Sequence, residues 1–206
     1  MTKNSLSERA SEIQEIVNNQ QPLLTAVAQT GSDWSQFMSC ICAIQCTEYA
    51  LEAYCAETSN QTPIKEGKAF LLVYGVFQAL FIQQDAVTNL CSSLRSLNIS
   101  NLNDSRIKEA LDEIREIRND IGHPTDRHPS KKYPEMGHPF IQIDYVTPLA
   151  DGVHMQIDFP ERAKEDGRVA VVGIHFIEIP PLIKKQKTAI IRVLDDILET
   201  LEKILP

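Results

Sequence analysis

Arg118, Asn119 and His123 are the side chains of this sequence whose types and spacing are best suited to chemistry. An arginine binds a phosphate through paired N–H groups and keeps its charge at any physiological pH. A histidine five positions later can move a proton near neutral pH, and the asparagine amide can orient either group. Together, these residue types suit the cleavage of a phosphodiester bond.

The helix that must carry this set is predicted to end at Gly122, because Pro124 cannot continue it. Its apolar face is formed by Ile107, Leu111, Ile114, Ile117 and Ile121. At about 100° per residue, Arg118 falls inside this apolar face. A guanidinium is costly there unless an acidic side chain, a second subunit or a bound anion satisfies it.

Ordinary helix stabilisation accounts for the same pattern equally well. A positive residue in the last turn and a histidine at the helix end both complement the helix dipole. Arg118 would then pair with a carboxylate such as that of Asp85. Spacing alone leaves both interpretations open, because an arginine and a histidine at this spacing often occur by chance.

The string from Arg118 to His123, R-N-D-I-G-H, resembles the R-N-x-x-x-H form of the R-x(4-6)-H motif of the HEPN superfamily. Its surroundings resemble that family too, since the motif closes a late helix and follows a long apolar one. The resemblance covers roughly residues 32–123 and the last helix. It implies a homodimer whose motifs face each other across a cleft. Many members are metal-independent ribonucleases in toxin–antitoxin, abortive-infection or CRISPR-linked defence systems.

The resemblance also implies a role for each motif residue. Arg118 would bind the scissile phosphate, His123 would act as general base or acid, and Asn119 would position these groups. RNA would be cleaved through its 2′-hydroxyl, leaving a cyclic phosphate, without a metal ion or cofactor. A toxin of this kind would have an antitoxin partner. The alternative is a catalytically silent HEPN-like homodimer that binds a protein or nucleotide partner.

Thr125 departs from part of the family pattern, because some family toxins have a tyrosine two residues after the histidine. The nucleotidyl-transfer regulation associated with that tyrosine is therefore not carried over to this chain.

RNA would need a local basic site, because the chain has a net charge of −8 and an acidic surface does not attract nucleic acid in general. The proline-rich segment 124–139 offers Arg127, Lys131 and Lys132 as nucleic-acid-binding residues. A solvated loop explains these residues equally well.

The composition is that of an ordinary globular protein: 206 residues, 43% hydrophobic and 23% charged. These values exclude a disordered or collagen-like chain. The polar residues 1–8 show no secretory signal, and no apolar run is expected to span a bilayer. The chain is therefore predicted to be cytoplasmic, with no membrane partner.

Hydrophobic periodicity predicts a mainly α fold, with helices at about 5–29, 32–56 and 64–97 before the motif helix. The helix at 64–97 carries a seam with steps of four and three: Val73, Phe77, Leu80, Gln84, Val87, Cys91 and Leu94. The first half of this helix is apolar nearly all round. This pattern fits either a central core helix or a helix partly covered by a second subunit.

Three strand patterns precede the last helix, at about 141–145, 153–159 and 169–177. The third is almost continuously apolar, so it is expected at the centre of an antiparallel meander. The predicted architecture is a single HEPN-like domain over 1–206, a helical bundle with a small antiparallel β-meander inserted at 140–179. The last helix is predicted to bury one apolar face: Ile190, Leu194, Ile197, Leu201 and Ile204. Early in this helix, an acidic surface is the preferred partner and phosphate the alternative for three lysines: Lys184, Lys185 and Lys187.

The cysteines are odd in number, and four of them lie close together, so a disulfide framework is not expected. They are Cys40, Cys42, Cys46, Cys55 and Cys91. Small buried hydrophobes are the preferred interpretation. The C-x-C-x3-C spacing leaves a metal site as the alternative, although no histidine lies near it.

Overall fold

The structure is a computed structural model that describes residues 5–19, 31–96, 112, 115, 140–158 and 171–204. The protein is mainly helical, with a small antiparallel sheet before the last helix. Its elements are α1 (Leu6–Asn19), α2 (Gly31–Thr58), α3 (Glu66–Ser96), β1 (Phe140–Val146), β2 (Gly152–Asp158), β3 (Val171–Glu178) and α4 (Ile179–Ile204). The proline-rich segment 124–139 lies outside the described residues.

α1 begins with a capping box that the sequence S-L-S-E provides. The Ser5 hydroxyl oxygen accepts a hydrogen bond from the Glu8 N–H at 3.0 Å, and the Glu8 carboxylate accepts one from the Ser5 N–H at 3.4 Å. Both bonds satisfy N–H groups that have no partner within a helix's first turn. One face of α1 is then buried at steps of four and three: Leu6, Ala10, Ile13 and Val17.

A buried carboxylate from α2 reinforces the start of α1. Glu48 is only 3% exposed, and it accepts hydrogen bonds from the N–H groups of Leu6, at 3.0 Å, and Ser7. Lys187 of α4 lies 2.7 Å from the same carboxylate and 3.6 Å from that of Glu52. The expectation that this lysine meets an acidic surface is therefore confirmed.

The seam predicted for α3 is confirmed, because every one of its seven positions is buried. The opposite side of the first half of α3 is not covered: Leu71 is 73% exposed and Tyr74 is 46% exposed. Among the described residues, α3 is also the helix long and apolar enough to cross a membrane, although half of the window that meets this test is buried in the structure. The expectation that no apolar run is long enough to span a bilayer is therefore wrong. The two criteria are length and apolar composition, and a buried core helix also meets both.

The polar seam position Gln84 belongs to a buried hydrogen-bonded chain of glutamines. Gln186 of α4 donates to the Leu80 carbonyl at 3.1 Å and to the Gln83 side-chain oxygen at 2.8 Å. Gln84 in turn donates to the Gln186 side-chain oxygen at 2.8 Å. The Leu80 carbonyl can only accept a hydrogen bond, so the Gln186 side chain must point its NH₂ group toward it. This orientation decides which glutamine donates and which accepts in the other two hydrogen bonds. The ends, Gln83 Nε2 and Gln84 Oε1, are buried without a hydrogen-bond partner.

The sheet is an antiparallel meander in the order β1-β2-β3. The expectation of a meander is confirmed, but the expectation that β3 is the central strand is wrong. β2 is central because it pairs with β1 on one side, through the turn at 147–151, and with β3 on the other. Gly152 opens β2 where a Cβ atom would lie 2.7 Å from the Ile177 carbonyl oxygen. That close approach requires a glycine.

α4 starts with Pro180 and Pro181 in its first turn, where a missing N–H costs nothing. Its apolar face completes the main core, as predicted. The core combines residues of all four helices: Leu6, Ala10, Ile13, Val17, Phe37, Cys40, Ile41, Ile44, Ala86, Val87, Leu90, Cys91, Leu94, Ile190, Val193, Leu194, Ile197 and Leu201.

The chain divides into two compact units. One comprises Met1–Ala53, Ala79–Ile114 and Ile183–Pro206, and it contains the main core. The other comprises Tyr54–Gln78 and Arg115–Leu182, and it contains the sheet. The prediction of a single domain over 1–206 stays a prediction.

Candidate functional site

The predicted cleavage set lies outside the described residues. This holds for Arg118, Asn119 and His123, and also for the predicted nucleic-acid-binding residues: Arg127, Lys131 and Lys132. On the approach to the motif, Asp112 and Arg115 are described, and both are helical. The helix expected before His123 is thus present at these two positions, and the roles of the motif residues stay predictions.

A tyrosine and a tight turn form a polar cluster in the sheet-containing unit. Tyr54 is 4% exposed, and its hydroxyl donates a hydrogen bond to the Ala150 carbonyl. Ala150 has a positive φ of 54°, a conformation that costs energy for any residue with a Cβ atom. Across the turn, the Thr147 hydroxyl donates to the Asp151 carboxylate at 2.5 Å. The tyrosine therefore holds a strained turn in place.

Burial raises the pKa of Tyr54, and the negative charge of Asp151 raises it further, with a smaller effect from Cys55. A phenol whose pKa is raised in this way keeps its proton at neutral pH. The hydroxyl therefore acts as a hydrogen-bond donor to the turn, not as a base.

Replacing Tyr54 by phenylalanine is expected to lower the free energy of unfolding by about 1–2 kcal/mol at neutral pH, because the Ala150 carbonyl loses its donor. The raised pKa means that folding favours the protonated phenol. Its contribution is fully present below the ordinary tyrosine pKa of about 10, and it is lost progressively as the pH rises from there toward the raised pKa of the folded state. The variant should therefore lose less stability than the parent between about pH 9 and 11.

Urea unfolding at several pH values measures both effects. Tyr74→Phe is the matched control, because Tyr74 is an exposed tyrosine of the same unit. If both variants show the parent's pH dependence, then Tyr54 does not carry this contribution.

A pocket of about 320 Å³ lies beside the loop that precedes α3, lined by Glu57, Asn60, Thr62, Pro63, Ile64, Lys65 and Lys68. Lys68 is already paired with Glu57, and the Ile64 N–H donates to the Pro148 carbonyl at 2.6 Å. The first contact joins α3 to α2, and the second joins the loop to the turn at 147–151.

The cysteines of α2 differ from the expectation of small buried hydrophobes. Cys40 and Cys91 are buried, as predicted, but Cys42 and Cys46 are exposed, and their sulfur atoms lie 3.8 Å apart. The hydrogen bond with Cys42 raises the pKa of Cys46, and the charge on Cys42 raises it further. All five cysteines are free thiols.

Helix phase would have revealed the exposed pair from the sequence. Phe37, Ile41 and Ile44 take the core side of α2. At about 100° per residue, positions 42 and 46 then fall on the opposite side. Within the part of the chain that the structure describes, no group of three or more His, Cys, Asp or Glu residues is placed to hold a metal ion.

The comparisons with known proteins give no match, whether to family models, to curated proteins or to solved structures. The resemblance to the HEPN superfamily therefore depends on the motif and its helical surroundings alone.

Proposed function

We propose that this chain is a metal-independent endoribonuclease of the HEPN type, with Arg118, Asn119 and His123 as its cleavage centre. The observation that carries the proposal is the R-N-D-I-G-H string, which follows a long apolar helix in a mainly helical protein. The buried seam of α3 and the apolar face of α4 are the surroundings that such a motif would need. A place in a toxin or phage-defence system, with an antitoxin partner, belongs to the same proposal.

In this mechanism the guanidinium of Arg118 binds the scissile phosphate and stabilises the charge that develops on it. His123 takes the proton from the ribose 2′-hydroxyl, whose oxygen then attacks phosphorus while the 5′-oxygen of the next nucleotide leaves. The products are a 2′,3′-cyclic phosphate and a 5′-hydroxyl end. A second His123, from a partner copy, protonates the leaving oxygen.

A homodimer is part of the proposal, because one histidine cannot be base and acid in the same step. Leu71 and Tyr74, on the uncovered side of α3, support an association with a second copy. Large apolar side chains on a contiguous exposed face are typical of interaction surfaces. Arg127, Lys131 and Lys132 would provide the local positive charge that RNA binding needs.

Incubation of the full chain with RNA in excess EDTA tests the proposal. We expect cleavage that leaves cyclic phosphate ends, and no cleavage of the same oligonucleotide made with 2′-deoxyribose. Cleavage that EDTA abolishes, or that acts equally on the deoxy substrate, would contradict a 2′-hydroxyl mechanism without a metal.

The second candidate is a catalytically silent HEPN-like homodimer that binds a protein or nucleotide partner. The net charge of −8 favours it, because such a surface repels RNA outside a local basic site. This candidate predicts a stable dimer and no RNA cleavage under any of these conditions.

A further inference from the structure

Two exposed thiols lie side by side on α2. Cys42 and Cys46 are one helical turn apart, both are exposed, and their sulfur atoms are 3.8 Å from each other. Buried cysteines serve as small hydrophobes, but this pair contributes nothing to the core. Its geometry therefore needs another explanation.

A disulfide between these thiols does not fit a helix. Residues four apart on a helix have Cβ atoms about 5–6 Å from each other. A disulfide requires Cβ atoms about 3.5–4.5 Å apart. Bridging Cys42 and Cys46 would therefore distort α2, whose opposite side packs into the main core.

A tetrahedral metal ion fits the same distance without distortion. Zinc–sulfur bonds of about 2.3 Å at the tetrahedral angle place two sulfur ligands about 3.8 Å apart. This is the separation that Cys42 and Cys46 already have, 3.8 Å. The pair can thus form one edge of a tetrahedral thiolate site, with both side chains in their present positions.

Two thiolates fill only half of such a site. Among the residues that the structure describes, none of the remaining His, Cys, Asp and Glu side chains joins the pair to make a group of three. A second copy of the chain would supply two more cysteines and complete a set of four thiolates, which is a usual closed form of a structural zinc site.

The surface around the pair suits a second α2 helix. The exposed positions of α2 that follow steps of four and three are all uncharged, and we call them the thiol seam: Ser35, Ser39, Cys42, Cys46, Tyr49 and Ala53. A seam with this spacing is the pattern by which two helices pack along their length. Five of its six side chains are small, so two copies can approach closely enough for four sulfur atoms to reach one ion.

We propose that Cys42 and Cys46 bind a zinc ion together with the same two residues of a second copy, so that the thiol seam is a metal-bridged contact. As each zinc–sulfur bond forms, the thiol releases its proton to solvent, and no electron is transferred. The site does not depend on the proposed ribonuclease activity, and its contact between copies is additional to the one that brings two motifs together.

Metal titration of the full chain tests the proposal. Protein freed of metal with a chelator, and kept in a non-thiol reductant, is titrated with Co²⁺ and then with Zn²⁺. We expect the visible spectrum of tetrahedral cobalt thiolate, its displacement by zinc, and saturation at one ion per two chains. The particle mass from light scattering should at least double on addition of zinc, whatever the mass of the metal-free protein.

The double variant Cys42→Ser, Cys46→Ser should show neither the cobalt spectrum nor the doubling of mass. Cys55→Ser, on the same helix, is the matched control and should show both. Circular dichroism checks that each variant remains folded. Binding that persists in the double variant, binding of one ion per chain without a change in mass, or no binding by the parent would each overturn the proposal. None of these readouts uses RNA, so a failure here is separate from a failure of the cleavage assay.

Discussion

Substitution of His123 by alanine is expected to lower the single-turnover rate of RNA cleavage by about 10²–10⁴-fold, the range that a positioned general acid or base contributes. Arg118→Ala should lower the rate by about 10²–10³-fold, because the charge developing on the phosphate loses its main electrostatic partner. Arg118→Lys should recover only part of that loss, since an ammonium cannot make the paired hydrogen bonds of a guanidinium.

Two residues of the same chain serve as matched controls. Arg115→Ala removes a helical arginine three positions before Arg118, and His154→Ala removes a histidine of β2. Both variants should cleave at close to the parental rate. The motif is not the cleavage centre if His123→Ala cleaves as fast as these controls do.

The largest effect on stability is expected at Glu48, a carboxylate that no catalytic proposal uses. Glu48→Ala removes the acceptor for the Leu6 and Ser7 N–H groups and the closest anion to Lys187. Lys187 is one-third exposed, so the cost comes mainly from the two N–H groups, whose hydrogen bonds to a charged acceptor contribute about 1.5–3 kcal/mol each. Because the total stability of a domain is about 5–15 kcal/mol, a large drop in the urea midpoint should be measurable.

Glu52 provides a close comparison, because it lies one turn further along α2 and only 3.6 Å from the same lysine. It is exposed, so Glu52→Ala should cost no more than about 1 kcal/mol. Glu48→Gln keeps an acceptor oxygen but loses the charge, and it should fall between the two. Equal losses for Glu48→Ala and Glu52→Ala would show that burial of the carboxylate does not govern its effect.

Periodicity was sufficient to predict the parts of the fold that depend on burial of one helix face. The α3 seam is buried at every position, and α4 buries Ile190, Leu194, Ile197 and Leu201 as its pattern indicates. Steps of four and three place such side chains on one side whatever their partners are. The positions of β1 and β2 followed from alternation, and the position of β3 followed from its nearly continuous apolar run.

The position of a strand within the sheet could not be predicted from its apolar content. A continuous apolar run, such as the one in β3, indicates burial of the two faces of a strand. The number of hydrogen-bonded neighbours depends instead on the turns, and the turn at 147–151 makes β2 the central strand.

Contacts between distant polar residues were also out of reach of pattern analysis. Glu48 accepts a hydrogen bond from the first turn of α1, 42 positions away, and the residues next to it in the sequence do not indicate this partner. The pattern placed Gln84 on the seam of α3, but it could not indicate that its side chain donates to Gln186. As for the predicted cleavage set, the motif gave residue types and spacing, and its geometry stays a prediction because those residues lie outside the described ranges.

The glutamine chain has a consequence for how the protein is made. Gln84 and Gln186 are 102 positions apart. During synthesis, the side-chain amides of Gln83 and Gln84 therefore lack their hydrogen bonds to Gln186 until the ribosome has added about a hundred more residues. Over the same interval, the apolar faces of α1, α2 and α3 are not yet packed against α4. A nascent chain in this state exposes both apolar surface and unpaired amides, and such intermediates are prone to aggregate. The last step in folding of the main core therefore cannot occur until α4 has been synthesised.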